Sequence, residues 1–244
     1  VTPSSAVPAV ARVRLAEEGL LWALVHRPVE GLAAVGQLEP DDLEGLVAAP
    51  IFRLAASLGD MPPAFRRYLV VLALFTLGNS SNMFLLLRAR ELGVADAQIP
   101  LLWAAVSLVA ALFSTPLSAL SDRFGRVGLL AGGYVAYALF YLALGAVADG
   151  GPLLFALFAF YGLFMAATEA VEKALVADLA PAERRGTAFG WFNLSIGVTL
   201  LPASLLFGWL WQEMSAATAF GFAAACAFAA ALLLRFWVFA GPEA

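Results

Sequence analysis

Six stretches of this chain, each roughly 20 residues or longer, carry no charged side chain, and that is the length a helix needs to cross a hydrocarbon core about 30 Å thick. They run from Tyr68 to Leu87, Ile99 to Leu120, Val127 to Ala148, Gly150 to Thr168, Thr187 to Trp211 and Met214 to Leu234. A backbone amide in lipid has no water to bond, so each stretch must satisfy its own hydrogen bonds, which a helix does within one segment. The expected fold class is therefore all-α, a polytopic membrane protein of six transmembrane helices preceded by a small soluble helical segment. Composition agrees, since 62% hydrophobic and 13% charged residues depart far from the roughly 25% charge of a soluble domain.

The loops set the orientation, because Lys and Arg are retained on the cytoplasmic side. Arg66 and Arg67 precede the first stretch; Arg123 and Arg126 follow the second, Arg184 and Arg185 the fourth, and Arg235 the sixth. The opposite face carries Arg88 and Arg90 after the first stretch, then Asp149 and Glu213. Both termini are thus expected in the cytoplasm of a multi-pass inner (plasma) membrane protein. An even number of spans requires the two ends to share a side.

Several chemistries are excluded at this stage. Cys226 is the only cysteine and His26 the only histidine, and His26 lies outside the six stretches. A disulfide framework, a His/Cys metal cluster and a histidine-based triad within the membrane all lack their residues. We expect no metal, no cofactor and no enzymatic activity.

The formal charge of −4 resides in the first 60 residues, where Arg12, Arg14, Arg27 and Arg53 stand against Glu17, Glu18, Glu30, Glu39, Asp41, Asp42, Glu44 and Asp60. A compositional border near Asp60 to Pro63 divides the chain into residues 1–62, an acidic helical cytoplasmic segment, and residues 63–240, the six-span domain. Leu20, Leu21, Leu24 and Val25 show helical spacing that Pro28 ends, and Asp41 can cap a second short helix. The segment lacks the basic start and long apolar core of a signal peptide. Ala16 to Leu46 resembles, over about 30 residues, the helicase-docking helical region of bacterial DNA primases. That resemblance would imply a fused or foreign fragment; a connector helix beside the membrane domain is the alternative. Nothing basic in it would hold nucleic acid, so no nucleic-acid partner is expected.

The loop after the second stretch reads PLSALSDRFGRVGLL, Pro116 to Leu130. Ser118, Leu120, Ser121, Asp122, Arg123, Gly125 and Arg126 resemble the pattern G-x-L-[AS]-D-[RK]-x-G-R-[RK] of the major facilitator superfamily, with Ser118 in place of the leading Gly and Val127 in place of the last basic residue. Physically, Asp122 suits a helix N-terminus, where the dipole favours an anion. Gly125 permits a tight turn, and Arg126 supplies a partner charge. A second element, Glu172 to Val198, resembles the loop between helices ten and eleven of the same superfamily through Asp178, Pro181, Arg185, Gly186 and Gly190. Phe65 to Val94 looks like the seventh helix of bacterial efflux-like members. The resemblance covers residues 63–240 and implies the C-terminal six-helix half of that fold, with Ser118, Asp122, Arg123, Gly125, Arg126, Asp178, Arg185 and Gly186 forming the conformational-switch loops.

Polar groups inside the stretches are the remaining candidates. Gly78, Asn79, Ser80, Ser81 and Asn82 interrupt the first one, and Asn79 and Asn82, three apart, share nearly one helix face. They are candidates for cavity lining and substrate binding, against a purely structural role in interhelical bonding. Glu169, Glu172 and Lys173 lie in the cytoplasmic third of the fourth span, with Glu169 and Lys173 spaced for an ion pair. An ionisable cluster at membrane depth is a functional candidate by default, here for ion coupling, with a structural ion pair as its rival. Arg88, Arg90 and Glu91 suit interfacial anchoring. Pro116 and Pro202 suit kinks or hinges, and Gly162, Ala166 and Ala170 form a small-residue stripe for helix packing.

The functional expectation is secondary active transport of a small organic solute, proton-coupled efflux by alternating access, with this chain supplying one six-helix half. Its partners would be the lipid bilayer, the solute and a second six-helix half, from another polypeptide or by self-pairing. The alternative is a membrane-anchored interaction module whose N-terminal helices bind a cytoplasmic partner. Deleting residues 1–60 separates the two: flux persists in the first case, and partner binding is lost in the second.

Overall fold

The computed structural model describes residues 57–79 and 81–239, with the side chains of residues 118–124 outside that description. The readings of residues 1–56, including the primase-like stretch, fall outside it. One compact unit begins at Asp60. Its described elements are α1 (Pro63–Gly78), α2 (Met83–Glu91), α3 (Ile99–Phe124), α4 (Arg126–Ala146), α5 (Pro152–Leu179), a 3-10 turn (Ala182–Arg184), α6 (Arg185–Glu213) and α7 (Ala216–Phe236). No strand occurs among the described residues, and six helical segments are long and apolar enough to cross a membrane. The all-α, six-span expectation holds.

Local chemistry accounts for the boundaries. Pro63 and Pro152 stand in the first helical positions of α1 and α5, where the missing N–H has no partner to lose. Ser215 caps α7, its hydroxyl oxygen accepting from the Thr218 N–H at 3.1 Å. Pro181 ends α5 by forcing Ala180 into extended geometry, ψ 139°. Gly125 joins α3 to α4 at φ +80°, a conformation only glycine adopts without strain. Pro116 and Pro202 lie inside α3 and α6, and both helices continue through them.

One expectation needs correction. The first span is two helices: the backbone leaves the helical path at Asn79 (φ −92°, ψ 74°) and re-enters at Met83. Four consecutive small polar residues, each competing for backbone hydrogen bonds, outweigh the apolar flanks there. The fourth span runs eleven residues past Thr168 to Leu179, and Glu169, Glu172 and Lys173 lie within it as α5.

Packing centres on two pairs, α4 with α7 and α3 with α5. Ala219, Ala223, Ala224, Ala227, Ala230 and Ala231 are buried along α7, and Tyr134, Tyr137, Ala138 and Tyr141 along α4. Small side chains let backbones approach, and dispersion contacts replace the hydrophobic effect that lipid does not provide. Of the small-residue stripe on α5, Gly162 and Ala166 are buried and Ala170 is exposed. A Cβ on Gly162 would stand 2.7 Å from the Val106 carbonyl of α3, so that part of the stripe is a packing seam. Only 11% of the apolar windows of α3 and α6 is buried, against 41–50% for the others, which leaves these two helices facing outward.

Candidate functional site

The break between α1 and α2 generates the site. Where the helix opens, the Gly78 carbonyl needs a partner outside the helix, and the Asn79 and Asn82 side-chain amides beside it need partners too. Tyrosines supply them. Tyr137 Oη of α4 lies 3.2 Å from both Gly78 O and Asn79 Oδ1, and Tyr161 of α5 donates to Asn82 Oδ1 at 2.8 Å. A third, Tyr134 of α4, donates to Glu172 Oε1 of α5 at 3.0 Å.

Asn79, Asn82, Tyr161 and Glu172 border a cavity of about 630 Å3. Asn79, Ser81 and Asn82 line it from the break, Glu169, Glu172 and Thr168 from α5, Trp103 from α3, and Ile196 and Leu200 from α6. Phe75, Tyr161 and Phe164 form an aromatic wall, stacked onward through Phe75 on Tyr134 (centroids 3.9 Å apart, 7° between planes) and Phe140 on Tyr161 (4.8 Å). The volume suits a small organic molecule. Rings offer it flat apolar surface, while the amides and carboxylates offer orientation.

The asparagines and glutamates, 87 or more residues apart in sequence, thus reach one cavity. Asn79 and Asn82 meet there because the chain is broken between them, and not because of a shared helical face. Lys173 does not line it: its side chain is exposed, and among the described residues no ion pair joins it to Glu169. Spacing placed the pair correctly, yet solvation of the ammonium competes with a pairing worth only about 0.3–0.5 kcal/mol on a helix surface. The carboxyl groups of Glu169 and Glu172 therefore face the cavity without a lysine among its lining residues.

The loop residues separate into two groups. Arg126, at the start of α4, pairs with Asp178 near the end of α5 and donates to the Ala174 carbonyl at 2.8 Å. It joins the two family-like loops, a link that neither sequence pattern showed alone. Ser118, Asp122 and Arg123 lie in α3, their side chains outside the described set. Arg185 opens α6 and is exposed. At Gly186 a Cβ would meet nothing within 4 Å, so no close neighbour requires glycine there. Arg184 reaches Asp60 at 2.8 Å.

At the opposite end Arg88 does more than anchor. Its guanidinium, 16% exposed, donates to Val147 O at 2.9 Å and pairs with Glu91 at 3.3 Å, tying α2 to the end of α4. Glu91 in turn accepts from Trp211 Nε1 at 3.1 Å.

Sequence reasoning missed the tyrosines and Trp103. Tyr134, Tyr137 and Tyr141 recur at i, i+3 and i+7, the one helical stripe of hydroxyls in an otherwise apolar span. That stripe was the available signal.

Comparison with known proteins is consistent with this architecture. The chain is 36% identical over 183 residues to an uncharacterized MFS-type transporter of Methanocaldococcus jannaschii, covering 72% of this chain and 46% of that protein. It is 30% identical over 132 residues to a probable 4-methylmuconolactone transporter of Cupriavidus pinatubonensis, covering 52% of this chain and 31% of that protein. The chain thus spans less than half the length of either relative. The sequence profile of the Major Facilitator Superfamily matches residues 68–244. With six membrane-competent helices in place, the chain belongs to the Major Facilitator Superfamily, a family of multi-pass membrane transporters of small solutes.

Proposed function

We propose that this chain is one six-helix half of a proton-coupled transporter that exports a small organic solute by alternating access. One observation carries the reading: the broken first span, the two amides and the two carboxylates converge on a single cavity of small-molecule size. Superfamily transporters hold substrate between two repeats near the midplane, at discontinuous helices whose freed backbone and polar side chains meet the ligand. The outward faces of α3 and α6, which also contribute Trp103, Ile196 and Leu200 to the cavity, are where a second half would close it. The name of the Cupriavidus relative favours a compact ring-bearing organic molecule as solute class.

In this scheme Asn79 and Asn82 orient the solute and the Phe75, Tyr161 and Phe164 rings bound it. Glu169 carries the exchangeable proton, and Glu172 is held by Tyr134. Arg126, Asp178, Asp122 and their neighbours at the loops register the two conformations. The domain sits in the inner membrane with both ends cytoplasmic, residues 1–62 forming an acidic segment before it.

The test is solute-induced proton movement. Everted vesicles from cells expressing the full chain, loaded with a pH-sensitive dye, are challenged with a panel of small organic solutes that includes 4-methylmuconolactone. We expect solute-dependent proton flux that Glu169→Gln abolishes while solute binding persists. Flux of unchanged pH dependence in that variant removes Glu169 from coupling, and an absence of flux with every solute removes the transport reading of the chain alone.

A further inference from the structure

A second cavity, of about 330 Å3, lies away from the transport site at the other end of α1. Pro63, Arg66, Arg67 and Val70 line it from α1, and Trp237, one residue past the end of α7, closes it. Arg67 is positioned by α7: its Nη1 lies 3.4 Å from the Trp237 carbonyl, and its guanidinium carbon 5.9 Å from the centroid of the indole. Arg66 is exposed beside it, and Arg235 follows the same edge on α7. No acidic side chain is among the lining residues.

Polarity changes sharply along this groove. Val70 stands one turn deeper than Arg66 on the same face and is 54% exposed, with Phe236 exposed on the α7 side. Tryptophan at such a junction marks headgroup level. Going inward, a ligand meets two guanidinium groups suited to bidentate phosphate contact, then an indole, then bare aliphatic surface. A soluble phosphate would use the first part only. The arginine-rich loops put this end on the cytoplasmic leaflet, where anionic lipids concentrate and basic pockets between helices take their headgroups.

We infer that the groove between the inner ends of α1 and α7 binds the phosphate headgroup of an anionic phospholipid, with one acyl chain lying over Val70. This rests on the cytoplasmic orientation proposed above but not on transport itself, since none of these residues touches the larger cavity.

Brominated lipids test it directly. The full chain is reconstituted with dibromo-phosphatidylglycerol or dibromo-phosphatidylcholine at equal mole fraction, and quenching of Trp237 is taken as the difference between the native chain and Trp237→Phe. We expect phosphatidylglycerol to quench the Trp237 component preferentially, with selectivity falling about fivefold for each arginine removed in Arg66→Ala and Arg67→Ala. Arg66→Ala is the safer variant for folding, because its side chain is exposed. Equal quenching by the two lipids, or selectivity retained after both substitutions, overturns the site. Loss of selectivity on adding millimolar inorganic phosphate at constant ionic strength assigns a soluble anion instead, and also overturns it.

Discussion

The two sides of the broken first span solve the same problem in opposite ways. Toward α7 the break is dry and tight: a Cβ on Gly78 would stand 2.7 Å from the Ala223 carbonyl and 2.8 Å from Cys226 Cβ, with alanines buried above and below. Toward α5 it is polar and open, its amides held by tyrosines at the edge of a cavity. Contact fixes the position of the chain on one side, and exchangeable hydrogen bonds hold it on the other. The contrast teaches how a span can carry a ligand-facing break without losing its place in the bundle: close packing cannot be rearranged cheaply, whereas hydrogen bonds to amides can change partners.

The largest expected effect comes from breaking the tight side. Gly78→Val places branched methyl groups where backbone of α7 already stands, so α1 and α7 must separate locally. Overpacking of this kind costs about 1–3 kcal/mol. The purified chain should lose several degrees of thermal stability in detergent, measured by the rise of aggregated material on size exclusion after heating. An unchanged profile would mean the seam is looser than its geometry.

An intermediate effect is expected at the tether between the two sides. Arg126 is the first residue of α4, which packs with the α7 seam, and Asp178 belongs to α5, the cavity wall. Arg126 is 32% exposed and Asp178 52%, so screening by water holds the ion pair to about 1 kcal/mol or less. The hydrogen bond to the Ala174 carbonyl adds a comparable amount. Arg126→Ala should therefore lower stability by less than Gly78→Val. The charge swap Arg126→Asp with Asp178→Arg should recover the pair but not the carbonyl bond, and full recovery would show that the Ala174 contact is idle.

Particular residues show how far the sequence could be read. The spans were legible because the absence of charge over the bilayer thickness is a property of composition, independent of which residues touch. Glu169, Glu172, Asn79 and Asn82 were legible as candidates because polarity at that depth is costly enough to need a reason. Their meeting in one cavity was not, since it depends on α1 opening and on α5 lying beside the break, a tertiary relation that periodicity does not encode. The tyrosines went unread for a related cause. Tyr137 and Tyr161 look like ordinary apolar filling until a carbonyl and two amides nearby need donors. Lys173 failed the other way, because i, i+4 spacing with Glu169 promised a pair that water outcompetes.

The smallest effects discriminate most finely, because they compare one hydroxyl on each side of the break. Tyr137→Phe removes the group 3.2 Å from the Gly78 carbonyl, a contact buried from solvent. Tyr161→Phe removes the donor to Asn82, whose amide borders the cavity. Interhelical hydrogen bonds in membranes average about 0.6 kcal/mol, and the loss grows when the remaining partner is left without water. Cavity water can replace the Tyr161 hydroxyl on Asn82, whereas the atoms nearest Gly78 on the alanine seam, the Ala223 carbonyl and Cys226 Cβ, offer its carbonyl no donor. Thermal denaturation of the two variants should therefore rank Tyr137→Phe below Tyr161→Phe, by a margin of about 1 kcal/mol. Transport should show the reverse order, with Tyr161→Phe shifting apparent solute affinity more than Tyr137→Phe, whose hydroxyl is shared between the Gly78 carbonyl and Asn79 Oδ1. Equal stabilities together with equal affinities would mean that water reaches both sides of the break, and the division into a fixed seam and an exchangeable wall would fail at the residues that define it.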